Sequence, residues 1–354
     1  MVTRGTRSLE LTPDSLLAIE RALDPGRGVR LGILANPQAR RGRYSGDHVR
    51  MWRMLDEPGD LIATRSPAEV SDALEHLIVH RGVNALAIVG GDGTVHSVIN
   101  ALWPLLDALE EALGRPVLPP PLLFLHGGTM NLTSRAMNTL GDPLGAIARF
   151  LESVAGRSLG SVGVREIGVI EATAGSERRL GLIFGSELVH NAVKMHRLLG
   201  DGYRGLLSLV GHVVVGSRLG SHIWKEHSHL LRAPEPPAFL DDVTYARYAG
   251  AVASTVDLKL VRGWIHSLRV DPGAPVGFHA KVLLETEQSR MIGLMNKLFF
   301  NGSDPRIVDV DGARSLRVKG SYTLDGELFP LAEDAEVCLG LHPRRLRAIE
   351  NGSA

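Results

Sequence analysis

Along the first 150 positions, apolar residues fall into short runs of strand length, separated by stretches in which they recur at helical spacing. The runs are VRLGILAN (29–36), LIATRS (61–66), NALAIVG (84–90) and PLLFLHGG (121–128). Apolar runs closed off by Asn-Pro or glycine predict strands buried on both faces. Between them, a helix is expected around 44–55. A second follows Pro67, in AEVSDALEHLIVHR, because proline suits a first helical turn. VHSVINALWPLLDALEEAL and the segment that begins TMNLTSRAM continue the alternation. Alternating strands and helices predict a parallel sheet with helices on both faces. Residues 1–28 read as an N-terminal leader holding one short helix, SLLAIERAL, started at Pro13-Asp14 and ended by Pro25-Gly26.

The pattern changes near Gly160. REIGVIEA, RRLGLIFG, STVDLKLV, HAKVLLETE and RSLRVKGSYTL are short β-type runs between Gly, Pro and Asp turns, which predicts an antiparallel sandwich or barrel. A helical stretch at roughly 189–220 interrupts them, and RAPEPPAFLDDV (232–243) reads as a proline-rich surface loop. The expected organisation is an α/β domain over 29–158, a mainly antiparallel β-sandwich domain over 159–330, and a C-terminal segment over 331–354.

Composition removes several functions. Across 354 residues, 39 Lys and Arg balance 39 Asp and Glu, so no global positive charge is available to neutralise nucleic-acid phosphates. Cys338 is the one cysteine, which excludes an intramolecular disulfide and a cysteine-rich zinc site. The start, MVTRGTRSLELTPDSLL, lacks the basic-then-apolar run of a secretory signal. The most apolar later stretch, 206–215, is interrupted by Ser208, Gly211 and His212 and is too short to cross a bilayer. A cytoplasmic location is therefore expected. The first lysine is Lys194, so the N-terminal half cannot supply the lysine of a P-loop. Any phosphate held there must be held by backbone N–H groups, arginine or metal.

Gly90-Gly91-Asp92-Gly93-Thr94 stands at a strand-to-helix junction. Glycines admit close backbone approach, and the following helix directs N–H groups and its positive dipole end at an anion. Gly91-x-Gly93 is followed by His96, so the third glycine of the dinucleotide fingerprint is missing. A tight turn with Thr94 as helix cap is the plain alternative. An aspartate between the glycines adds nothing to an anion-only cradle, but it fits a site that also holds Mg²⁺ or a hydroxyl donor. Asn36-Pro37-Gln38-Ala39-Arg40 and His126-Gly127-Gly128-Thr129-Met130-Asn131 leave two other strands at the same sheet edge, where α/β proteins bind ligands. Six arginines between 26 and 50 (27, 30, 40, 41, 43, 50) against Asp47 give a local charge of +5. That suits a polyanion such as a nucleoside triphosphate, or else forms a solvated face. Asp325-Gly326-Glu327 pairs two carboxylates around a glycine, and Asp-Gly between apolar runs is equally a hairpin signal.

Asn36-Pro37, Gly90-Gly91-Asp92-Gly93-Thr94 with Val98-Ile99-Asn100-Ala101-Leu102, Gly128-Thr129-x-Asn131 and Asp325-Gly326-Glu327 occur in an order that resembles the diacylglycerol kinase catalytic-domain family. That family includes sphingosine and ceramide kinases and bacterial lipid kinases. The resemblance spans about 29–345. It implies a three-layer nucleotide-binding α/β domain like that of NAD kinases and phosphofructokinases, then a β-sandwich that helps bind lipid, with the chain end packing back on the first domain. It further implies an ATP site lined by Asn36, Pro37, Gln38, Ala39, Arg40, Thr64, Gly90, Gly91, Asp92, Gly93, Thr94, Val95, Thr129 and Asn131. Glu327 is implied as proton acceptor from a lipid hydroxyl, and Asp92 as organiser of Mg²⁺ and the phosphates; the remaining metal ligands are unspecified. The implied partner is a lipid presented by a membrane, reached by peripheral contact with the inner face, with a homodimer compatible and no nucleic acid. The sequence departs from the family pattern at three places. Ala39-Arg40 replaces Ser-Gly, Ser97 replaces a glutamate, and Leu132 replaces the aspartate after Asn131. An NAD-kinase-like enzyme on the same fold, or a nucleotide- or lipid-binding protein without catalysis, are the alternatives.

Three further signals carry less. Gly156-Arg157-Ser158-Leu159-Gly160 matches G-x-S-x-G, but a helix precedes it and a strand follows, the reverse of a nucleophile elbow. His222, His227 and His229 lack zinc-site spacing. Met195, Leu198, Leu199, Leu206, Leu207, Leu209 and Val210 form either core or an apolar lip that dips into a membrane interface.

Overall fold

Strands with apolar residues on both faces require cover from both sides, and the first part of the chain is built to supply it. The computed structural model describes residues 12–38, 47–55, 57–128, 131–137, 139, 142–199, 236–260, 265–270, 277–287, 290–291, 293–294, 297 and 302–350. The chain divides into two compact units: Met1–Gly128, Met137–Glu166 and Leu346–Ala354 form the first, Thr129–Ala136 and Ile167–Arg345 the second. Elements are numbered along the chain.

In the first unit, β1 (Leu31–Ala35), β2 (Leu61–Ala63), β3 (Ala85–Gly90) and β4 (Leu122–His126) pair in parallel in the order β2-β1-β3-β4. Two further strands extend this sheet beyond β4: β20 (Leu346–Ile349), parallel to β4, and then β5 (Val164–Ile167). β1 and β3 are buried along their whole length. One face packs Ile33, Ala87, Leu123 and Leu125 against Met51, Ile147 and Phe150 of α2 (Asp47–Arg53) and α6 (Pro143–Val154). α1 (Pro13–Leu23), α3 (Pro67–Glu75) and α4 (Asp92–Leu113) also belong to this unit, and Leu74, Val98, Leu102 and Leu106 are buried on α3 and α4. Local chemistry starts these helices where the sequence signals lie. Thr12, Ser66 and Asp142 accept N–H groups of their first turns, and each is followed by proline. The helix expected at 44–55 is shorter, Asp47–Arg53.

Arg30, one of the six clustered arginines, is committed to structure. Its guanidinium binds the buried Asp60 carboxylate at 2.8 and 3.0 Å, and Arg81 binds the same carboxylate at 3.0 Å and Glu57 as well. Arg40, Arg41 and Arg43 lie outside the described residues.

The second unit is a pair of antiparallel six-stranded sheets. The first has the order β10-β9-β16-β19-β6-β7, with β6 (Ile170–Ala174), β7 (Glu177–Gly181), β9 (Ala238–Leu240), β10 (Val243–Tyr245), β16 (Leu316–Lys319) and β19 (Glu336–Leu341). The second has the order β15-β14-β11-β8-β17-β18, with β8 (Ile183–Glu187), β11 (Gly250–Ser254), β14 (Phe278–Leu283), β15 (Ile307–Ala313), β17 (Tyr322–Leu324) and β18 (Glu327–Phe329). Their inner faces share a core that includes Phe184, Tyr248, Phe278, Leu316, Tyr322 and Val337. Several runs that read as single strands are each cut in two. RRLGLIFG supplies β7 to one sheet and β8 to the other, and RSLRVKGSYTL supplies β16 and β17 in the same way. Chain that switches sheets must bend sharply, and Gly320, between β16 and β17, does so at φ 87°. REIGVIEA is divided likewise, into β5 and β6. The expected loop at 232–243 holds strand β9 and the turn that leads into β10; 232–235 lie outside the described residues.

Helices α5 (Leu132–Ala136) and α7 (Leu188–Leu199) belong to this unit. α5 lies against β12 (Leu258–Leu260). β12 pairs with β13 (Ile265–Leu268). α7 (Leu188–Leu199) buries Met195 and leaves Leu198 60% exposed, so the expected core-or-lip stretch divides between the two roles over its described part. Residues 200–235, including His222, His227 and His229, lie outside the described residues. Among the described residues, no helix is long and apolar enough to cross a membrane.

A charged cluster ties β14 and β15 to the chain after β13. His279 meets the Arg269 carbonyl through Nδ1 at 2.6 Å and the Asp309 carboxylate through Nε2 at 2.5 Å. Both ring nitrogens face acceptors, which only an imidazolium satisfies. Lys281, almost fully buried, donates to the Ser267 carbonyl at 2.7 Å and pairs with Asp309 at 3.3 Å. Burial pushes the His279 pKa down, but Asp309, the Arg269 carbonyl and Asp311 outweigh it, and the net shift is upward from 6.5. Burial pushes Asp309 up, but His279 and Lys281 outweigh it and the net shift is downward from 3.8. Stability from His279 is therefore complete below pH 6.5 and lost as pH rises through its folded value, while stability from Asp309 is lost on acidification below 3.8. Urea unfolding at pH 6 and pH 9 is expected to show a loss of stability that is smaller in His279→Gln. Equal pH differences in the two proteins would contradict the protonated state.

Candidate active site

In the order β2-β1-β3-β4 the chain moves outward from β1 to β2 and then returns to the other side of β1, which makes the gap between β1 and β3 a topological switch point. Loops at the carboxyl ends of strands flanking such a point form the crevice in which α/β sheets bind ligands. Asn36 stands at the end of β1 and Gly90-Gly91 at the end of β3.

Gly90 has no side chain, and the space is taken by Thr94: a Cβ built on Gly90 would lie 2.5 Å from Thr94 Cβ and Oγ1. Thr94 can therefore fold over the strand end, where its hydroxyl accepts from Asn36 Nδ2 at 3.1 Å. The Asn36 N–H donates to the Val89 carbonyl at 2.9 Å, and its side-chain oxygen accepts from Gln38 N at 2.9 Å, which turns the chain at Pro37. Thr64, buried at the end of β2, donates its N–H to the Ala35 carbonyl at 2.8 Å. Asn36, Pro37, Gln38 and Thr64 are thus set at one sheet edge with Gly90, Gly91, Asp92, Gly93, Thr94 and Val95. Ala39, Arg40 and Thr129 lie outside the described residues.

The neighbouring loop closes on the first. Gly127 N donates to the Gly90 carbonyl at 3.0 Å. A methyl at Gly127 would meet Gly90 N at 2.5 Å, and one at Gly91 would meet Gly128 Cα at 3.1 Å. Helix α4 opens from this glycine floor. Its cap is Gly91, with no side-chain cap bond, and the N–H groups of Thr94 and Val95 return to the Gly91 carbonyl at 2.9 and 3.1 Å. A helix 22 residues long that starts at a bare glycine cradle has the geometry of an anion site. Ser97, in place of the family glutamate, turns its hydroxyl back to the Gly93 carbonyl at 2.9 Å.

Asp92, the first residue of α4, is the carboxylate of this cradle. Among the described residues, no three His, Cys, Asp or Glu gather as a metal cage. Mg²⁺ commonly takes one or two protein carboxylates and completes its shell with phosphates and water, and a lone aspartate beside a phosphate cradle fits that habit.

Asn131 and Glu327 belong to the second unit. Asn131 is buried, adopts φ 52°, and accepts the Arg135 N–H at 3.1 Å, so it starts α5. Glu327 opens β18 after a two-residue turn. Asp325 (φ 53°) and Gly326 (φ 83°) are both left-handed, as a tight hairpin between β17 and β18 requires. The hairpin reading of Asp-Gly-Glu is therefore met. Asp325 is buried, and its carboxylate accepts the N–H groups of Leu182 and Ile183, each at 2.9 Å, across the corner between β7 and β8. Tyr322 stacks between Phe184 and Phe329 at 5.6 and 5.0 Å, and Arg179 lies 4.4 Å above the Phe329 ring. Arg197, in the last turn of α7, donates to the Gly326 carbonyl at 2.6 Å and to Glu327 Oε2 at 3.2 Å. The sequence motifs gave no sign of Arg197, which lies 130 positions from its partner. Nor did they single out Glu187, a buried carboxyl at φ 48° where β8 runs into α7. Burial, with the charge of Glu333 adding to it, pushes Glu187 up to about 7.

The family match falls on the crevice. Residues 30–159 match the family model of the diacylglycerol kinase catalytic domain, the family that the motifs resemble. Solved structures from Bacillus anthracis str. Sterne share the fold. A "putative diacylglycerol kinase" is 17% identical with a TM-score of 0.59, over 92% of this chain and 98% of its own. A diacylglycerol kinase from the same organism is 16% identical with a TM-score of 0.57, over 92% of this chain and 97% of its own. These likenesses establish the architecture expected from the sequence, an α/β parallel sheet followed by antiparallel β-sheets. No curated protein matches the chain.

Two outcomes check this geometry. Gly127→Ala is expected to destabilise the protein by about 2–3 kcal/mol through overpacking, read by urea unfolding; a stability equal to wild type would show that the two loops can separate freely. Glu187 binds its proton more tightly folded than unfolded, so it lowers stability as pH rises from 4.5 to about 7. Glu187→Gln should match wild type near pH 4 and exceed it at pH 8, and a constant difference across that range would contradict the raised pKa.

Proposed function

We propose that this protein is an ATP-dependent lipid kinase that transfers the γ-phosphoryl group to a hydroxyl of diacylglycerol, a sphingoid base or a related lipid. The observation that carries the reading is a glycine cradle at a switch point, inside a diacylglycerol kinase catalytic-domain segment, in a chain that also presents a glutamate from an Asp-Gly-Glu hairpin.

ATP with Mg²⁺ supplies the phosphoryl group and neutralises charge on the phosphates. The chain's own part is positioning and proton transfer. Backbone N–H groups of Gly91, Asp92 and Gly93 at the amino end of α4 would bind phosphate oxygens, since those of Thr94 and Val95 are taken by the Gly91 carbonyl; Asp92 would hold the cation, and Asn36, Gln38 and Thr64 would line the nucleotide. Glu327 accepts the proton of the acceptor hydroxyl as its oxygen bonds to the γ-phosphorus and the bond to the β-phosphate oxygen breaks, releasing ADP. This role requires Glu327 to come within hydrogen-bond reach of the acceptor hydroxyl. The lipid is taken from a membrane surface by peripheral contact.

The test is transfer of labelled γ-phosphate from MgATP into mixed micelles of diacylglycerol, monoacylglycerol, ceramide, sphingosine and phosphatidylglycerol, with NAD as a soluble control. One labelled lipid is expected. Glu327→Gln should lower kcat by about 10²–10⁴-fold with ATP affinity unchanged by titration calorimetry. Label in NAD alone would assign an NAD-kinase-like activity. ATP binding without any label would favour a nucleotide-binding protein without catalysis.

A further inference from the structure

We propose that Arg197 is the positioning residue of Glu327, presenting one carboxylate oxygen to the acceptor hydroxyl; the proposal rests on Glu327 being the base. An exposed glutamate has three rotatable bonds and no preferred direction, whereas a general base must be aimed before the proton arrives. The hairpin backbone is already fixed, because Asp325 is anchored to Leu182 N and Ile183 N. That anchor leaves the Glu327 side chain free to swing. Among the described residues, Arg197 is the hydrogen-bonding partner of its carboxylate.

The geometry suits that task. Arg197 Nη2 is shared between the Gly326 carbonyl at 2.6 Å and Glu327 Oε2 at 3.2 Å. The guanidinium therefore takes its own position from the turn while it orients the carboxylate. With Oε2 engaged, Oε1 is the oxygen left to accept a proton. The donor stands on a firm support. α7 begins directly after β8, its first N–H donates to the Ala249 carbonyl at 3.1 Å, and Met195 is fully buried one turn before the end. α7 also lies against β17 and β18, the two strands of the hairpin it serves. A planar, permanently charged fork holds such a bridge, whereas lysine offers a point charge on a flexible stem. The pair is half-exposed, with side chains 48% and 43% accessible, so its worth lies in orientation rather than stability.

The experiment measures kcat and the KM for MgATP, with the lipid that takes label, in wild type, Arg197→Met, Arg197→Lys, Glu327→Gln and the Arg197→Met/Glu327→Gln double variant. Arg197→Met is expected to lower kcat about 10–100-fold with the KM for MgATP within about twofold, and Arg197→Lys should fall between it and wild type. Methylguanidinium at non-denaturing concentration should restore part of the Arg197→Met rate and none of the Glu327→Gln rate. The double variant should be no slower than Glu327→Gln, since an aiming residue has nothing left to aim. A crystal structure of Arg197→Met reads the same point without turnover: Glu327 should lose its single rotamer while the Asp325 bonds persist. A raised KM for MgATP with unchanged kcat, losses that multiply in the double variant, or an unmoved Glu327 rotamer would each overturn the proposal. Wild-type turnover in Glu327→Gln would instead overturn the base reading on which it rests.

Discussion

Backbone lies on backbone where β3 and β4 end. Gly127 donates its N–H to Gly90, at a separation in which a methyl group would sit 2.5 Å from a main-chain nitrogen. Parallel strands hold their ends at a fixed spacing, but the loops that leave them ordinarily splay to make room for side chains. Here nothing has to be accommodated, so the two loops close together and Thr94 drops over the end of β3 into the space that a side chain at Gly90 would fill. The Asn36–Thr94 hydrogen bond across the switch point follows from that placement, and the 22-residue helix beside it begins at Gly91 with no side-chain cap bond. The candidate nucleotide crevice is thus a consequence of missing Cβ atoms before it is a consequence of any polar group.

The second unit depends on how charge is handled inside a sheet. Asp309 is shared by the His279 imidazolium and a buried Lys281, which also donate to the backbone carbonyls of Arg269 and Ser267. In the first unit Asp60 is met by two arginines in the same manner. A buried charge without such company is costly, and the usual response is to give it up. Glu187 follows that course: its carboxyl lies above Gly320, in space that exists because position 320 carries no side chain, and burial raises its pKa to about 7. It stands at the root of α7, whose other end carries Arg197, so the helix runs from a group near its titration point to the partner of the candidate base.

Asp325-Gly326-Glu327 shows how one tripeptide can satisfy two demands. The left-handed conformations of Asp325 and Gly326 make the tight turn, and the buried Asp325 carboxylate uses that turn to bind two main-chain N–H groups from another corner of the sandwich. The next residue, Glu327, is consequently delivered at a set place on the edge of the sheet.

The sequence by itself determined strands β1 to β4, the proline-and-cap signals that start the first unit's helices, and the glycine junction at residues 90–94, because each rests on neighbours in the chain, whereas β5 and β20 join the same sheet only through the tertiary structure. Periodicity reports which face of a segment is buried, and proline or an N-cap acts within one turn. Only the tertiary structure decided which residues the motifs would meet. RRLGLIFG and RSLRVKGSYTL look continuous because both halves are apolar, yet each is divided between two sheets, since a core shared by both sheets accepts apolar strands from either. Arg30 looked like part of a phosphate-binding run until Asp60 was seen to claim it, and Arg197 was one arginine among many until the fold set it beside Glu327. Ion pairs and carboxylate clamps join residues tens to more than a hundred positions apart. No local pattern encodes them, because their energy exists only once the chain has closed.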